Sequence, residues 1–331
     1  MSTETITLAE LASLGQRSLM VQGVNEQAAL DTCNALIAAE KAGIASHGFA
    51  RLPYYLDQLA SGKLNAQAHP QSNQQGAVVN VDADSGLAFP AVQTGLDQGI
   101  KLAKTCGVIG VAIRHSHHFG MAGYYAEQAA QQGLLCLALS NGPAAMAPWG
   151  GNIPLYGTNP IAFASPRIQG DPMVIDLSLS EVARGKVMLA SQKKEAIPLG
   201  WAIDTDGKPT TDADAALAGS MAPAGGAKGA ALALMVELLT AGLTGSNFGF
   251  QASSFFSAEG KAPHVAQLLL LLNPTFFSAN YLQHSEILFR SMLEQPGVRL
   301  PGARRQALVR QNSVELDLPV TLLTQLRIRA G

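Results

Sequence analysis

The chain has 331 residues, a length that corresponds to about two ordinary domains of roughly 150 residues each. Hydrophobic residues make up 47% of it and charged residues only 14%, against about 25% in an average globular protein, so the composition excludes a disordered chain. The formal net charge is -2 and no long block of like charges occurs, which argues against nucleic acid as a partner.

The cysteines and the apolar segments indicate the cellular compartment in which the protein is found. Cys33, Cys106 and Cys136 are odd in number and form no CxxC pair, which favours reduced thiols in a cytoplasmic protein. Residues 1–15 carry acids where a secretory signal peptide needs basic residues, and the longest apolar run, 230–236, is far shorter than the roughly 20 residues that span a bilayer. We therefore expect a cytoplasmic protein without a membrane partner, whose low charge indicates an extensive subunit interface.

The N-terminal part predicts helices. Apolar residues recur at helical spacing over residues 8–59, with Asn25 placed as an N-cap, so we expect two or three helices. The segment GIASHG at 43–48 interrupts them and places Ser46 and His47 in a loop.

The middle of the chain alternates between segments with the periodicity of helices and segments with the periodicity of strands. Residues 77–170 predict an α/β segment that ends in a long loop at 141–160 with four prolines and four glycines. A strand then follows near residue 173, a hairpin through Asp206 and Gly207, and an apolar helix within 225–245. The last predicted elements are a strand from residue 267 and a helix over about 280–293.

The first candidate site lies at 46–55, where the sequence reads SHGFARLPYY. His47 and Arg51 are four residues apart, so a helix beginning at Gly48 would place both side chains on one side. A histidine beside an arginine suits a proton donor next to a carboxylate clamp. A capped helix start with an exposed arginine is the alternative, and for an isolated HxxxR pair it is the commoner arrangement.

The second candidate site ends a predicted strand at 114–120, RHSHHFG. His115, His117 and His118 suggest a metal site, but no carboxylate accompanies them and adjacent residues on an extended chain point to opposite faces. We therefore expect no metal. A His-Phe-Gly turn that opens a helix is typical of a junction whose free backbone N–H groups bind phosphate, and a polar strand end is the alternative.

Three glycine-containing segments carry further polar side chains. Thr158 and Asn159, after APWGG, offer a hydroxyl and an amide to a small polar substrate. Lys228 in GGAKG precedes an apolar helix, which is typical of an anion site, and residues 299–305, RLPGARR, form a basic turn. Each segment is also compatible with a turn that binds nothing. The sequence has no GxGxxG, GxxxxGK[ST] or GxSxG motif, so the Rossmann, P-loop and hydrolase signatures are absent.

In their amino-acid sequence and in their order along the chain, these segments resemble the malate/L-lactate dehydrogenase family of the second type. The members of this family are NAD(P)-dependent oxidoreductases that lack the Rossmann fold. The matching segments extend from about residue 46 to 305 and are SHGFARLPYY, SHHFGMAGYYAEQA, APWGG, YGTNPIAFASP, VIDLSLSEVARGK, GGAKGAALALMVELL and RLPGARR. The family includes malate, lactate, ureidoglycolate and sulfolactate dehydrogenases and reductases of Δ1-piperideine-2-carboxylate and Δ1-pyrroline-2-carboxylate. In these reactions hydride moves between nicotinamide and the carbon next to a carboxylate.

The resemblance implies the α/β, non-Rossmann fold of that family, in which a helical N-terminal region adjoins a mixed-sheet cofactor domain and two chains form an intertwined homodimer. Residues 1–75 would form the helical region, contribute to the substrate site and pack with residues 265–331. Residues 76–264 would form the cofactor-binding domain. The two domains are expected to be discontinuous in sequence.

The resemblance also implies roles for single residues. His47 would donate a proton to the substrate, Ser46 would hydrogen-bond to it, Arg51 would bind the carboxylate, and Thr158 would be a second substrate contact. A hydride added to a 2-oxo acid leaves an alkoxide that needs a proton near neutral pH, which suits histidine. The cofactor, NADP(H) or NAD(H) with NADP(H) favoured, would be lined by His118, Phe119, Gly120, Asp176, Leu177, Ser178, Lys228, Gly229, Arg299, Arg304 and Arg305.

Certain features bear on the substrate and the cofactor. Lys186 stands where imine-reducing members carry an acidic relay residue, which favours a 2-oxo acid, whereas the segment 243–260 resembles the imine reductases and sulfolactate enzymes. Ala303 replaces an acid that is common in the RLPGARR turn, and it bears on the choice between NAD and NADP. We therefore expect an enzyme that interconverts a small 2-oxo and 2-hydroxy carboxylate of the malate, lactate or sulfolactate type. The alternatives are a reductase of cyclic 2-imino carboxylates and, from another class, a non-catalytic ligand-binding homologue.

Overall fold

The computed structural model describes residues 2–331 and combines helices with strands, as the sequence predicts. The helices are α1 (Leu8–Val21), α2 (Glu26–Lys41), α3 (Leu52–Ala60), α4 (Ala88–Cys106), α5 (Ala122–Gln131), α6 (Arg184–Lys193), α7 (Ala213–Ala218), α8 (Ala227–Glu237), α9 (Tyr281–Leu293), α10 (Ala303–Gln311) and α11 (Val320–Arg329). The strands are β1 (Thr3–Thr7), β2 (Gln71–Gln75), β3 (Val78–Asp82), β4 (Val108–Ser116), β5 (Leu135–Ser140), β6 (Ile161–Ser165), β7 (Met173–Leu177), β8 (Ala202–Ile203), β9 (Ser220–Met221), β10 (Val265–Leu272) and β11 (Glu315–Pro319).

Side-chain caps define the start of the first two helices. Thr7 Oγ1 accepts a hydrogen bond of 3.2 Å from the amide of Glu10 at the start of α1, and the Glu10 carboxylate accepts one from the Thr7 amide in return. Asn25 caps α2, as predicted, because its Oδ1 accepts a hydrogen bond of 2.9 Å from the amide of Ala28. Local sequence therefore determines where both helices begin.

Seven strands form one mixed sheet in the order β2-β3-β4-β10-β5-β6-β7. Of its neighbouring pairs, β3 and β4 run parallel and the others run antiparallel. This pattern differs from the mostly parallel sheet of a Rossmann fold and confirms the expected α/β fold with a mixed sheet.

The two ends of the chain meet, since β1 pairs antiparallel with β11. The sequence grouped residues 265–331 with the N-terminal region, but β10 from this segment lies at the centre of the sheet, between β4 and β5. Its continuous apolar run, 268–272, suits a strand that is covered on both faces. The boundary at residue 264 thus falls beside a central strand, and the division of 1–75 and 265–331 from 76–264 stays a prediction.

The helix α4 packs closely on the sheet because glycines face it. A Cβ atom at Gly95 would lie 2.5 Å from Val111 Cγ1, and one at Gly99 would lie 2.6 Å from Val111 Cγ2. Leu96 and Ile109 are fully buried in the same layer. This packing holds β4, whose end leads into the second candidate site.

One predicted element is confirmed and another differs in detail. The hairpin through Asp206 and Gly207 is present, since Ile203 and Pro209 form an antiparallel bridge and the Asp204 amide donates to the Lys208 carbonyl at 2.8 Å, and β8 pairs in addition with β9. The apolar helix α8 ends at Glu237 and continues as one wider turn of π-helix, Leu238–Gly242. Thr240 Oγ1 donates to the carbonyl of Val236 at 2.6 Å within this turn, which gives the backbone an alternative partner there.

All three cysteines are free thiols, with Cys33 and Cys136 buried and Cys106 exposed. Burial raises the pKa of the Cys33 and Cys136 thiols to about 12, so both behave as small core residues. None of the helices within residues 2–331 combines the length and the apolar character that a membrane crossing requires.

Candidate functional site

Two short 3-10 turns, Ala45–His47 and Phe49–Arg51, present the first candidate residues. Gly48 has an extended backbone (φ -93°, ψ -146°) and separates the turns, so the helix expected from Gly48 begins at Phe49 instead, as a 3-10 turn that continues into α3. At this start, Glu40 Oε1 accepts a hydrogen bond of 2.7 Å from the amide of Phe49. A Cβ atom at Gly48 would lie 2.2 Å from the same oxygen, so a larger residue would displace this group.

Ser46 contacts both residues of the predicted catalytic pair. Its hydroxyl lies 3.0 Å from His47 Nδ1, and its carbonyl accepts a hydrogen bond of 2.7 Å from Arg51 Nε. The ring centre of His47 lies 5.3 Å from that of His118, which belongs to a different sequence motif. The structure therefore brings Ser46, His47, Arg51 and His118 together, and their roles stay predictions.

The guanidinium group of Arg51 has hydrogen-bonding capacity to spare. Its central carbon lies 4.3 Å from the ring centre of Phe256, which is a cation–π contact. Its Nη1 is buried without a hydrogen-bond partner, and no carboxylate of residues 2–331 forms an ion pair with it. Because a buried donor without a partner costs free energy, this group suits an incoming anion.

The protonation of His47 depends on its surroundings. Burial first, and then the positive charges of Arg51 and Arg305, lower the pKa of His47 to about 4. At neutral pH the ring is therefore uncharged and can accept a proton. An anion bound at Arg51 would offset part of this positive charge and raise the pKa, which would let the ring carry a proton.

His118 is held from two sides. Its Nδ1 lies 2.6 Å from the hydroxyl of Tyr55, and its ring centre lies 5.4 Å from that of Phe255. Burial, followed by the charge of Arg51, lowers the pKa of His118 well below its usual value. The ring is therefore neutral and fixed in orientation beside His47.

The neighbouring histidines have different partners. His117 Nε2 lies 3.1 Å from Gln58 Oε1, and the carbonyl of His117 accepts a hydrogen bond of 3.0 Å from Gln267. His115 instead pairs with Asp82, with 3.0 Å between Nδ1 and Oδ2. The histidines of the RHSHHFG motif thus face separate environments, and within residues 2–331 no group of three His, Cys, Asp or Glu side chains is arranged to hold a metal ion.

Phe119 and Gly120 contribute differently from His118. The ring of Phe119 is buried and stacks on that of Tyr125, with 5.5 Å between centres, so its side chain belongs to the core. Gly120 has a left-handed backbone (φ +75°), and a Cβ atom there would lie 3.0 Å from the Phe89 ring. The backbone of this turn, rather than the Phe119 side chain, is the part suited to a ligand.

Asp176 links three segments that were predicted to bind the cofactor. Its Oδ2 accepts a hydrogen bond of 3.1 Å from the amide of Gly123 and lies 3.1 Å from Arg305 Nη1. The carbonyl of Asp176 also accepts a hydrogen bond of 3.0 Å from Arg305 Nη2. The Val174 amide donates to the carbonyl of Pro301 at 3.2 Å, which holds the RLPGARR turn against β7.

The segment after β7 also touches the turn before α8. The carbonyl of Leu179 accepts a hydrogen bond of 2.8 Å from the amide of Ala224, three residues before α8 begins. Gly229 is buried, and a Cβ atom there would lie 2.0 Å from the carbonyl oxygen of Ala224. Ser178 is half-buried, and the exposed predicted cofactor residues are Leu177, Lys228, Arg299 and Arg304.

A cavity of about 350 Å³ adjoins Asp176, between α2, α5 and α10. This volume falls in the range of small-molecule sites. Gln128, which lines it, has a buried Nε2 without a hydrogen-bond partner. Other polar residues of the wall are Asn34, Lys41, Glu127, Arg305 and Gln306.

Thr158 lies one packing layer from the histidines. A Cβ atom at the preceding Gly157 would lie 2.6 Å from the carbonyl oxygen of Gly142, so these two segments are in direct contact. One at Gly142 would lie 3.5 Å from the ring of Phe255, which also packs on His118. Thr158 is therefore connected to His118 through Gly157, Gly142 and Phe255, and its role as a substrate contact stays a prediction.

Sequence reasoning missed Arg184, although it stands in the quoted ARGK segment. Its half-buried guanidinium donates to the carbonyls of Ala144 (3.2 Å) and Leu217 (3.4 Å). No acidic side chain of residues 2–331 forms an ion pair with it. The nearby Lys186 instead lies over the ring of Trp201, with 6.0 Å from its nitrogen to the ring centre.

For other residues near the site, the sequence contains only a weak signal. Phe255 and Phe256 were noted only as a subfamily marker, and Gln58, which donates 2.9 Å to the carbonyl of Phe255, carries no motif. Tyr55 is the last residue of the motif SHGFARLPYY, but the sequence alone suggested no role for it. Glu237 is an acid at the end of an otherwise apolar helix, and this contrast was the signal that could have found it.

Known proteins resemble this chain over nearly its whole length. Residues 6–327 match the family described as malate/L-lactate dehydrogenase. A (2R)-3-sulfolactate dehydrogenase (NADP(+)) of Chromohalobacter salexigens is 58% identical over 325 residues, which cover 98% of each chain. A Δ1-pyrroline-2-carboxylate/Δ1-piperideine-2-carboxylate reductase of Pseudomonas syringae pv. tomato is 39% identical over 306 residues, which cover 92% of this chain and 89% of that one.

The fold is also shared. The crystal structure of a Δ1-piperideine-2-carboxylate reductase from Pseudomonas syringae has a TM-score of 0.92 and 37% identity, and the match covers 99% of this chain and 100% of that one. This similarity over the full length confirms the expected fold and the resemblance drawn from the motifs.

Proposed function

Because the chain belongs to the malate/L-lactate dehydrogenase family, we propose that it transfers hydride between NADP(H) and C2 of a small 2-oxo or 2-hydroxy carboxylate. The observation that carries this proposal is the buried, unpartnered Nη1 of Arg51 close to His47. These residues supply an anion site and an acid–base group side by side. A non-catalytic ligand-binding homologue would need only the anion site, so the pair favours an enzyme.

In the reducing direction, Arg51 binds and orients the carboxylate of the 2-oxo acid. The nicotinamide cofactor, when bound, would supply the hydride that C2 accepts. His47 gives its proton to the oxygen on C2, and Ser46 fixes the ring through Nδ1. In the oxidising direction, His47, which is unprotonated at neutral pH, accepts the proton of the 2-hydroxy group.

We assign the cofactor to the end of β7 and the adjoining cavity. The fit rests on the cavity volume of about 350 Å³ and on the unpartnered amide of Gln128 within it. NADP(H) is favoured because the sulfolactate dehydrogenase of Chromohalobacter salexigens is named for NADP(+). The residues that would hold it are His118, Phe119, Gly120, Asp176, Leu177, Ser178, Lys228, Gly229, Arg299, Arg304 and Arg305.

Among 2-oxo acids, we favour one with a second acidic group, such as sulfopyruvate. Arg184 supports this choice, because its half-buried guanidinium has only backbone carbonyls as partners and lies against Ala144 of the loop beside Gly142. The high identity to a sulfolactate dehydrogenase points the same way.

Reduction of cyclic 2-imino carboxylates is the second candidate. Arg51 would bind their carboxylate equally well, and His47 would protonate nitrogen instead of oxygen. The 39% identity to a reductase of Δ1-pyrroline-2-carboxylate and Δ1-piperideine-2-carboxylate favours it. Lys186 weighs against it, since the acidic relay residue of that reaction is missing at this position.

The experiment that tests the function follows NADPH and NADH absorbance in separate wells. Purified protein receives pyruvate, oxaloacetate, sulfopyruvate, diketogulonate, Δ1-piperideine-2-carboxylate or Δ1-pyrroline-2-carboxylate. We expect the highest kcat/KM for sulfopyruvate with NADPH. Turnover of the imines alone would replace the first candidate by the second, and no turnover of any compound would refute both.

We also propose a homodimer formed through the exposed side of α8. Leu232 and Met235 on this helix and Leu238 just after it are 41%, 38% and 54% exposed, as is Leu243 at 66%. Apolar side chains grouped in this way favour a covering partner, and a second copy accounts for the low surface charge. Light scattering should give twice the chain mass of 34.5 kDa, and Leu238→Glu should shift it toward one chain. A monomeric wild-type protein would contradict the dimer.

The compartment that we propose is the cytoplasm, on the evidence of three unpaired thiols, one of them exposed at Cys106. We also retain the division into a helical region of residues 1–75 with 265–331 and a cofactor region of 76–264. Limited proteolysis with and without NADPH tests this division, because the cofactor should protect 76–264 more strongly. Equal protection of all segments would argue for a single unit.

A further inference from the structure

We propose that Glu237 is a positioning residue that holds Thr158 in place for the substrate, an inference that rests on the proposed function. Glu237 has no hydrogen bond to His47 or Arg51, and although it lies within the segment GGAKGAALALMVELL, the sequence alone suggested no role for it. It is 2% exposed at the end of α8, just before the π-helical turn. Its carboxylate is the point at which the segments on both sides of Thr158 are tied to residues 141 and 249.

Four N–H groups converge on this carboxylate. Oε1 accepts hydrogen bonds from Asn159 Nδ2 at 3.0 Å and from the amide of Gly157 at 3.3 Å. Oε2 accepts hydrogen bonds from Asn141 Nδ2 and from the amide of Gly249, both at 3.2 Å. The donors come from three segments that lie far apart in sequence, so Glu237 ties together parts of the chain that no regular strand pairing joins.

The same segments approach one another too closely for side chains. A Cβ atom at Gly249 would lie 2.9 Å from the carbonyl oxygen of Gly142 and 2.9 Å from the amide nitrogen of Gly157. Backbones at this distance need a common hydrogen-bond acceptor, since their N–H groups are cut off from water. The Glu237 carboxylate fills that need.

The ionised form of Glu237 fits these partners best. All four are N–H donors, and a carboxylate offers four acceptor positions on two oxygens. Burial raises the pKa of Glu237, while the hydrogen bonds from Asn159, Gly157, Asn141 and Gly249 oppose this shift. An amide in its place would point its own NH2 group at two of the donors.

Thr158 lies between two residues that Glu237 holds, Gly157 and Asn159. On its other side, the Thr158 carbonyl accepts hydrogen bonds from the amide of Leu179 (2.9 Å) and from Ser178 Oγ (3.3 Å). Its hydroxyl has no hydrogen bond to any side chain or backbone group of residues 2–331. Asn159 has a left-handed backbone (φ +38°), which is strained for a residue with a side chain. Thr158 is therefore fixed by its backbone, with its hydroxyl left for a ligand.

The test compares Glu237→Gln with Glu286→Gln in the full chain, with sulfopyruvate and NADPH as probes. Glu286 is also a buried carboxylate, paired with Arg167 at 2.6 Å, and it controls for the loss of a buried charge. We expect Glu237→Gln to raise the KM for sulfopyruvate by about ten-fold and to leave the Kd for NADPH unchanged. Glu286→Gln should leave that KM unchanged, and an equal rise in both variants would overturn the proposal.

A double-mutant cycle with Thr158→Ala shows whether Glu237 acts through Thr158. If it does, the double variant should raise the KM little more than the single variant with the larger effect. If the two substitutions raise the KM by independent factors that multiply in the double variant, Glu237 does not act through Thr158 and the positioning role is overturned. A Thr158→Ala variant with an unchanged KM would instead refute the substrate contact assigned under the proposed function, so the two failures are distinguishable.

Amide hydrogen exchange tests the placement without relying on turnover. Peptides covering 155–160 and 247–258 should exchange faster in Glu237→Gln than in the wild type, and their exchange should not change in Glu286→Gln. Uniformly faster exchange across the chain would overturn the proposal, because it indicates general destabilisation. If Glu237→Gln fails to fold, Asn159→Gly serves instead, since glycine tolerates the left-handed backbone while removing one donor; it should raise the KM by a few-fold.

Discussion

The two walls of the candidate site are built in different ways. One lies within residues 46–55, where side chains contact their own neighbours in the sequence. The other is assembled from 141–142, 157–159 and 247–249, which meet at Glu237. The contiguous wall carries the groups that we propose move a proton and bind the carboxylate. The assembled wall carries Thr158, which we propose contacts the substrate.

Because of this difference, the proposed reactive groups depend on local contacts, whereas the position of Thr158 depends on distant ones. His47 and Arg51 share the anchor Ser46, so a short stretch of chain determines their relation. Thr158 depends on partners up to about a hundred residues away, so a change at any of them moves it. Substitutions in the contiguous wall should therefore alter the chemistry, and substitutions in the assembled wall should alter binding.

The largest effect should come from His47→Ala in the contiguous wall. We expect kcat to fall by about 100-fold or more, because proton transfer to the substrate is lost. The Kd for NADPH, measured by fluorescence, should change little. His284→Ala, which removes an exposed histidine on α9, serves as the control. Undiminished turnover of the His47 variant would remove this residue from the mechanism.

Arg51→Ala should act on binding within the same wall. We expect the KM for the best substrate to rise by about 10- to 100-fold, since a two-pronged, charge-assisted pair is lost. Steady-state kinetics against substrate concentration measures this effect. Arg327→Ala, which removes an ion pair with Glu4 far from the site, is the matched control. If the KM of the Arg51 variant is unchanged, the carboxylate binds elsewhere.

Glu40→Gln tests what supports the contiguous wall. Burial raises the pKa of Glu40 from 4.5 to about 7 in the folded chain. Its contribution to stability is therefore fully present below pH 4.5 and is lost as the pH rises through about 7. Between pH 5.5 and 8.5, the wild type should lose about 2 kcal/mol more free energy of unfolding than the variant. Urea unfolding at both pH values measures this difference, and identical pH slopes would show that Glu40 does not titrate in this range.

The smallest effect should come from Phe256→Leu, which acts on Arg51 of the contiguous wall from outside that wall. The ring of Phe256 supports the guanidinium group of Arg51 at 4.3 Å. Loss of this cation–π contact should raise the substrate KM by about two- to five-fold, with kcat little changed. Phe277→Leu, at an exposed phenylalanine, is the control. A fall in kcat with the KM unchanged would indicate that Phe256 acts on the chemistry instead.

The fold and the site differed in how far they could be predicted. The cap at Asn25, the strands and the mixed α/β architecture followed from periodicity, capping residues and family motifs. The helix expected from Gly48 begins one residue later with a 3-10 turn, at a place where the Glu40 carboxyl group accepts a hydrogen bond from the Phe49 amide and fills the space beside Gly48. The central place of β10 was also missed, since strand order depends on pairing between distant segments.

The sequence by itself determined that Ser46, His47 and Arg51 lie close together, since one short motif carries all three. Only the tertiary structure decided that His118 faces His47, that Asp176 pairs with Arg305, and that Glu237 gathers three loops. The physical reason is the range of the interactions involved. Capping and turn contacts act over a few residues, whereas a buried charge finds its partners only after distant segments have packed around it.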